Sequence, residues 1–335
     1  MFQAVVREEL LADEQVHAGR TARLRIRALE LPAEDGEPPL AIEQITRPDG
    51  PARPPVVLVH GLAQNRHTWR IPGRSLSGAL AEAGYDVLNL ELRGHGRSRG
   101  YGAGNATSFD DYTRDLLRVL RRCPEPPFLV GHSLGAAVCL DAAARAPVRG
   151  VVHLAGVYRF AGANAVMRAL ARASLSLERL LLLPRLRVHT RWAGDLLGRL
   201  YAVTDIAGYG APIAGWAPGS MERELLEQRL RLGFDWTSVE VWLEMCRWAT
   251  GAPFEPGERF CALDVPLLVV VGDRDPLVRP DDARALYDAS CSSDRTFLLM
   301  EPFEHGVHWG HIDLILGRRA PREVWPRLIE WLDAR

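Results

Sequence analysis

The chain has 335 residues, of which 47% are hydrophobic and 25% charged, and its formal net charge is −1. That is long enough for one large domain carrying an insertion, with an ample core. A balance so close to zero gives no electrostatic case for nucleic acid or an anionic membrane, and the basic residues are all Arg, spread evenly without a patch.

The first segment, MFQAVVREELLADEQ, is too charged for a signal peptide, and no apolar run approaches membrane-spanning length. Cys123, Cys139, Cys246, Cys261 and Cys291 are odd in number and scattered, with no CxxC or Cys/His ligand spacing. They support neither a disulfide framework nor a zinc site, and the expectation is a cytoplasmic protein. Ala22–Leu29 (ARLRIRAL) alternates with period two and reads as an early antiparallel strand. Pro48–Pro55 (PDGPARPP) is a turn-rich connection.

Continuous apolar runs bounded by Gly or Pro follow: Pro55–His60, Tyr85–Leu90, Pro127–Val130, Val151–Leu154 and Pro266–Val271, with Thr296–Met300 as a further strand candidate. Such runs suit strands buried on both faces of a parallel sheet. Between them Arg74–Glu82, Phe109–Arg122 and Leu134–Ala146 have helical spacing, and Ser108 is placed to cap the second. The alternation implies an α/β fold with right-handed crossovers. Between about Gly156 and Ala262 the strand signals stop. Met221, Leu225, Leu226 and Leu230 share one helical face, and Val239, Trp242 and Cys246 share another. Five of the nine tryptophans (Trp192, Trp216, Trp236, Trp242, Trp248) fall here. We read 1–155 and 263–335 as two parts of a core and 156–262 as a helical cap inserted between them.

The chemistry centres on Gly131-His132-Ser133-Leu134-Gly135. This G-x-S-x-G pentapeptide follows a predicted strand and opens a predicted helix, the setting that a nucleophile elbow requires. The helix N-terminus places positive dipole where an oxyanion would form. A hydroxyl needs a base, and the base an orienting carboxylate. In Val271-Gly272-Asp273-Arg274-Asp275-Pro276, Asp275 falls in the loop beyond the strand, while Asp273 reads as a turn residue. His305, His308 and His311 compete for the base. His305 comes soonest after the last strand; His311 precedes the amphipathic run Ile312–Leu316. No acidic cluster accompanies the three histidines, so we read no metal site. The order Ser133…Asp275…His311 is that of triads built on a nucleophile elbow.

These motifs make the chain resemble the α/β-hydrolase superfamily, in its serine esterase and lipase branch. The resemblance implies an α/β-hydrolase fold: a mostly parallel central sheet flanked by helices, with an inserted helical cap. His60-Gly61-Leu62-Ala63 resembles the family's oxyanion loop, which implies Leu62 N–H as one oxyanion donor and Leu134 N–H as the other. His60, Gly61 and His132 flank these donors and are expected to contact substrate. Glu91-Leu92-Arg93-Gly94-His95-Gly96-Arg97-Ser98 resembles the family's D-x-R-G-x-G-x-S turn, with Glu91 replacing Asp. Gly272-x-x-Asp275 matches the acid loop, and Gly310-His311-x-Asp313…Gly317 resembles the base segment. Both favour the triad Ser133, Asp275, His311, with His305 and His308 at the mouth or shaping the loop.

Dehalogenases and epoxide hydrolases of this fold carry an Asp nucleophile, and polyhydroxyalkanoate synthases Cys; Ser133 argues against all three. The resemblance implies a carboxylic ester hydrolase acting through an acyl-enzyme on a small, apolar ester, with neither metal nor organic cofactor. Acyltransferase and thioesterase chemistry would use the same triad. A perhydrolase or a non-catalytic ligand-binding relative is a more distant reading.

Overall fold

The apolar runs form strands because each side of the pleat finds its own core. This computed structural model describes residues 2–181, 187–189 and 215–335. Its strands are β1 (Val5–His17), β2 (Arg20–Leu31), β3 (Leu40–Thr46), β4 (Pro55–Val59), β5 (Asp86–Glu91), β6 (Phe128–His132), β7 (Gly150–Leu154), β8 (Leu267–Gly272) and β9 (Arg295–Met300). They build one nine-stranded sheet in the order β1-β2-β3-β5-β4-β6-β7-β8-β9. From β5 to β9 all neighbours are parallel. β1, β2 and β3 add on antiparallel at one edge. In β4, Val57 and Val59 enter one core cluster while Val56 and Leu58 enter the other. In β8, Leu267, Val269 and Val271 join the first cluster; Leu268 and Val270 join the second. A strand buried on both faces has no polar face to show, which is why these runs are continuous.

The helices α1 (Leu76–Glu82), α2 (Phe109–Leu120) and α3 (Leu134–Ala143) connect successive strands. The helix expected from Arg74 starts two residues later, because the Ser75 hydroxyl accepts from Gly78 N at 2.9 Å and caps it there. Ser108 precedes α2 in extended conformation, and Asp111 folds back to accept from Thr107 N and Ser108 N.

Between β7 and β8 lie α4 (Ala165–Leu181), α5 (Arg223–Leu232), α6 (Val239–Ala249) and α7 (Glu255–Cys261). Of the two predicted helical faces, Leu225, Leu226 and Leu230 fall on α5, where Leu226 and Leu230 are buried, while Met221 is buried just before it; the other falls on α6, where Cys246 is buried. The region is not free of strand: Arg187–His189 pairs antiparallel with Trp236–Ser238. These pieces are three residues long, too short for a pattern to reveal. Trp192 lies outside the described residues. After β8, α8 (Pro280–Ala289) leads to β9, and α9 (Trp325–Asp333) closes the chain. Among the described residues no helix is long and apolar enough to cross a membrane.

Candidate active site

β6 ends at His132 and α3 begins at Leu134, so Ser133 alone makes the turn, at φ +56° and ψ −124°. A non-glycine residue reaches positive φ only against strain, which the surroundings must hold in place. Here Ser133 N donates to Leu154 O, and Val157 N donates to Ser133 O, both at 3.1 Å. A Cβ on Gly131 would lie 2.4 Å from Ala136 Cα, and one on Gly135 2.2 Å from the Val59 carbonyl oxygen. No side chain fits at either point, so the two glycines permit the close crossing that lifts Ser133.

His311 sits beyond β9, with Nδ1 2.7 Å from Asp275 Oδ2. Asp275 is fully buried, and its Oδ1 accepts from Leu277 N at 2.8 Å and Val278 N at 2.9 Å. One carboxylate oxygen is thereby tied to backbone, leaving the other to fix the ring as the Nδ1–H tautomer. The free lone pair is then on Nε2, which is buried and makes no hydrogen bond to any described residue. Ser133 and His311 line one cavity of about 390 Å³. The structure does not join Ser133 Oγ to Nε2 by a hydrogen bond; such contacts commonly tighten only around substrate.

The other histidines are placed elsewhere. His305 is buried against Glu323 and Arg327, both 3.3 Å away, and does not line the cavity. His308 is half exposed, and its Nδ1 donates to Asp273 Oδ2 at 2.5 Å. Asp273 Oδ1 accepts from Trp309 N at 2.8 Å. Asp273 is thus more than a turn residue, because it anchors the loop that carries His311. Asp313 holds the same loop from the far side, accepting from Gly310 N and Ala217 N, and burial pushes its carboxyl up to about 6.

The loop His60–Ala63 packs against the turn at Ser133: a Cβ on Gly61 would lie 2.9 Å from Ser133 Cβ. Leu92 N donates to His60 Nε2 at 3.2 Å, leaving Nδ1–H to donate to Gly61 O at 2.9 Å. Burial pushes His60 down to about 3, so this neutral tautomer persists. In a trans peptide N–H and C=O point oppositely. Holding Gly61 O toward His60 therefore turns Leu62 N–H away from it. Leu134, as first residue of α3, has one of the amides a helix leaves free. Ala63, at φ +56°, is pinned through its carbonyl by Asp235 N at 2.9 Å.

His60, Gly61 and His132, expected at the substrate, are all buried in the structure, and none of them is among the residues that line this cavity. His132 lies between the loop that carries Gln64 and the loop that carries His311, its Nδ1 3.3 Å from Gln64 Oε1 and its Nε2 3.2 Å from His311 O. Burial holds it well below the usual histidine range and hence neutral. Gln64 escaped the sequence reading, yet it lines the cavity and touches His132. No local motif marks it; only the fold brings it there. Glu91, the departure from the family turn, is buried and accepts from Arg66 Nη1 at 3.1 Å and Arg97 N at 3.0 Å, a structural role.

With this geometry in hand, a family profile described as the alpha/beta hydrolase fold matches residues 54–313, more than half of the chain. The chain belongs to the α/β-hydrolase family. Relatives within it differ in chemistry. Epoxide hydrolase B of Mycobacterium tuberculosis is 40% identical over 88 residues, covering 25% of this chain and 23% of that enzyme's length. Human lipase member M is 25% identical over 341 residues, covering 84% of this chain and 75% of that protein. The crystal structure of a monoacylglycerol lipase from Paleococcus ferrophilus superimposes with a TM-score of 0.63 at 21% identity, covering 88% of this chain and 98% of that one. That likeness is one of fold. The family and its hydrolase relatives support a hydrolase.

Proposed function

We propose that this α/β-hydrolase cleaves carboxylic esters of apolar acids or alcohols through an acyl-enzyme on Ser133. The observation that carries the reading is the pairing, in one cavity, of a strained serine with a histidine whose Nδ1 is held 2.7 Å from a buried carboxylate. His311 Nε2 takes the Ser133 proton as Oγ attacks the ester carbonyl, and the oxyanion lies against the amides of Leu62 and Leu134. The tetrahedral adduct collapses as His311 returns the proton to the departing alcohol. Water, deprotonated by His311, then attacks the acyl-enzyme and releases the acid.

Substrate class follows from the wall. Phe160, Met167, Leu170, Trp242, Met245 and Val278 make it apolar, and among the described residues no acidic or basic side chain other than His311 lines it. A charged acyl group would lose its hydration there without a partner. Residues of α4 and α6 supply much of this wall, and we assign those helices to the cap on 156–262. An epoxide-opening relative would need a carboxylate at the elbow; this chain has a hydroxyl.

The test is covalent labelling by a fluorophosphonate, followed by a panel of p-nitrophenyl esters of graded acyl length. The label is expected on Ser133, with hydrolysis of uncharged acyl chains and none of either in Ser133→Ala. A label that persists at another residue in Ser133→Ala would remove the nucleophile assignment.

A further inference from the structure

The nine-stranded sheet ends on one side at β1, thirteen residues long, and no strand pairs with its outer edge among the described residues. A long edge is a template for another strand, and proteins usually blunt it with charges, bulges or a cover. β1 has register shifts between Val6 and Glu8 and between Gln15 and His17, but the stretch between them pairs regularly with β2. Four apolar side chains of β1 are in water: Leu10, 39% exposed, and Leu11, 48%, within this stretch, and Val5, 44%, and Val6, 52%, before it.

We propose that this edge pairs with the same edge of a second copy, antiparallel about a two-fold axis through Leu10, continuing the sheet across two molecules. The argument is self-complementarity. A closed two-fold contact sets each residue opposite one of its own strand, so a strand qualifies only if it does not repel itself. With the axis at Leu10, Leu10 meets Leu10, Glu9 meets Leu11 and Glu8 meets Ala12. Arg7 then meets Asp13, twice. Among two-fold registers that overlap most of β1, this one alone opposes unlike charges without also opposing like ones. Sliding the axis by one residue, the smallest step that keeps opposed side chains on one face, sets Glu9 against Asp13 and Glu8 against Glu14. Like charges directly opposed destabilise a ladder, and unlike ones support it.

The neighbouring charges extend the match. Within one copy Arg7 donates to Glu30 at 2.6 Å, and Arg23 is 3.1 Å from Asp13. Across the joint these become a chain of alternating sign: Glu30, Arg7, Asp13, Arg23. Backbone hydrogen bonds of the edge supply the affinity and the side chains the register. A contact of one strand per copy is small, so the dimer is expected to form and dissociate with concentration. The cavity holding Ser133 shares no residue with this edge.

Sedimentation of the full chain across a concentration series tests this. Wild type is expected to pass from monomer to dimer as concentration rises. Leu10→Lys puts two ammonium groups opposite one another and is expected to weaken the dimer at least about tenfold, with ester turnover unchanged. Arg7→Asp is expected to weaken it too, and the added change Asp13→Arg to restore it. Register is read by oxidation. Leu10→Cys is expected to cross-link to itself above the background of the native cysteines, and Leu11→Cys is not, because only position 10 meets its own copy within disulfide reach. A chain that stays monomeric leaves the edge to some other partner and overturns the proposal. So does a dimer that ignores Leu10→Lys, or one that cross-links at Leu11→Cys instead.

Discussion

Two aspartates two residues apart end up with different work, and the division can be read from what each accepts. Asp275 gives one oxygen to two backbone amides and the other to the His311 ring. Asn at 275 would present an amide N–H to one of these partners and leave the imidazole in the wrong tautomer. Asp275→Asn is therefore expected to lower kcat on the order of 10⁴-fold with little change in KM. The Asp273 carboxylate holds the loop before His311, through His308 and Trp309 N, and does not reach the His311 ring. Asp273→Asn is expected to cost roughly tenfold, because it loosens the loop without altering the tautomer. Steady-state kinetics of the pair decide it, and a larger loss in Asp273→Asn would transfer the acid role. The histidines follow the same logic. His311→Ala is expected to lose about 10³-fold. His305→Ala, which removes contacts to Glu323 and Arg327, is expected to lower stability and spare turnover. Normal turnover in His311→Ala would end its claim to be the base.

At the scale of elements, the strand–Ser133–helix unit was legible in the sequence because its constraints are local. Gly131 and Gly135 are dictated by the crossing of β6, α3 and β4, and the Val59 carbonyl sits where a Cβ on Gly135 would go. Since backbone cannot give way as a side chain can, Gly135→Ala is expected to cost roughly 3 kcal/mol in urea unfolding. It should also lower turnover, by pushing the elbow off the oxyanion loop. An unchanged unfolding midpoint would mean that strand and helix are less tightly crossed than described. The two outer strands beside β2 were not legible. β3 is wholly buried yet contains Glu43 and Gln44, whose polarity is cancelled only by distant partners: Arg70 at 2.8 Å and Asp86 at 2.7 Å. β1 is exposed on both faces over most of its length, so neither face gives a period-two signal. The direction of His60 and His132 was hidden for a related reason. Proximity in sequence to the oxyanion donors says nothing of which side of the backbone a ring takes.

Across the whole molecule, folding takes an unusual number of histidines out of water while keeping them neutral. Burial pushes His60 down to about 3 and His67 and His153 each to about 4, and it holds His132 well below the ordinary range. In the unfolded chain each returns to a pKa near 6.5. As pH falls through that value the unfolded chain binds protons that the folded chain refuses, so the stability present above pH 6.5 is lost on acidification. Two buried carboxylates act the other way. Asp115 and Asp313, pushed up to about 6 by burial, take protons in the folded state that the unfolded state, with pKa near 4, does not. Between pH 7.5 and pH 6 each of the three histidines held at about 3 to 4 costs about 0.8 kcal/mol, together about 2.4, His132 acts in the same direction, and the two carboxylates return about 0.8 kcal/mol. The histidines win by about 2 kcal/mol. Urea unfolding at the two pH values should show the unfolding free energy lower by that amount at pH 6, as a lower midpoint at constant slope, with protons taken up on unfolding. Equal or greater stability at pH 6 would mean that these rings are charged, or reach water, in the folded protein.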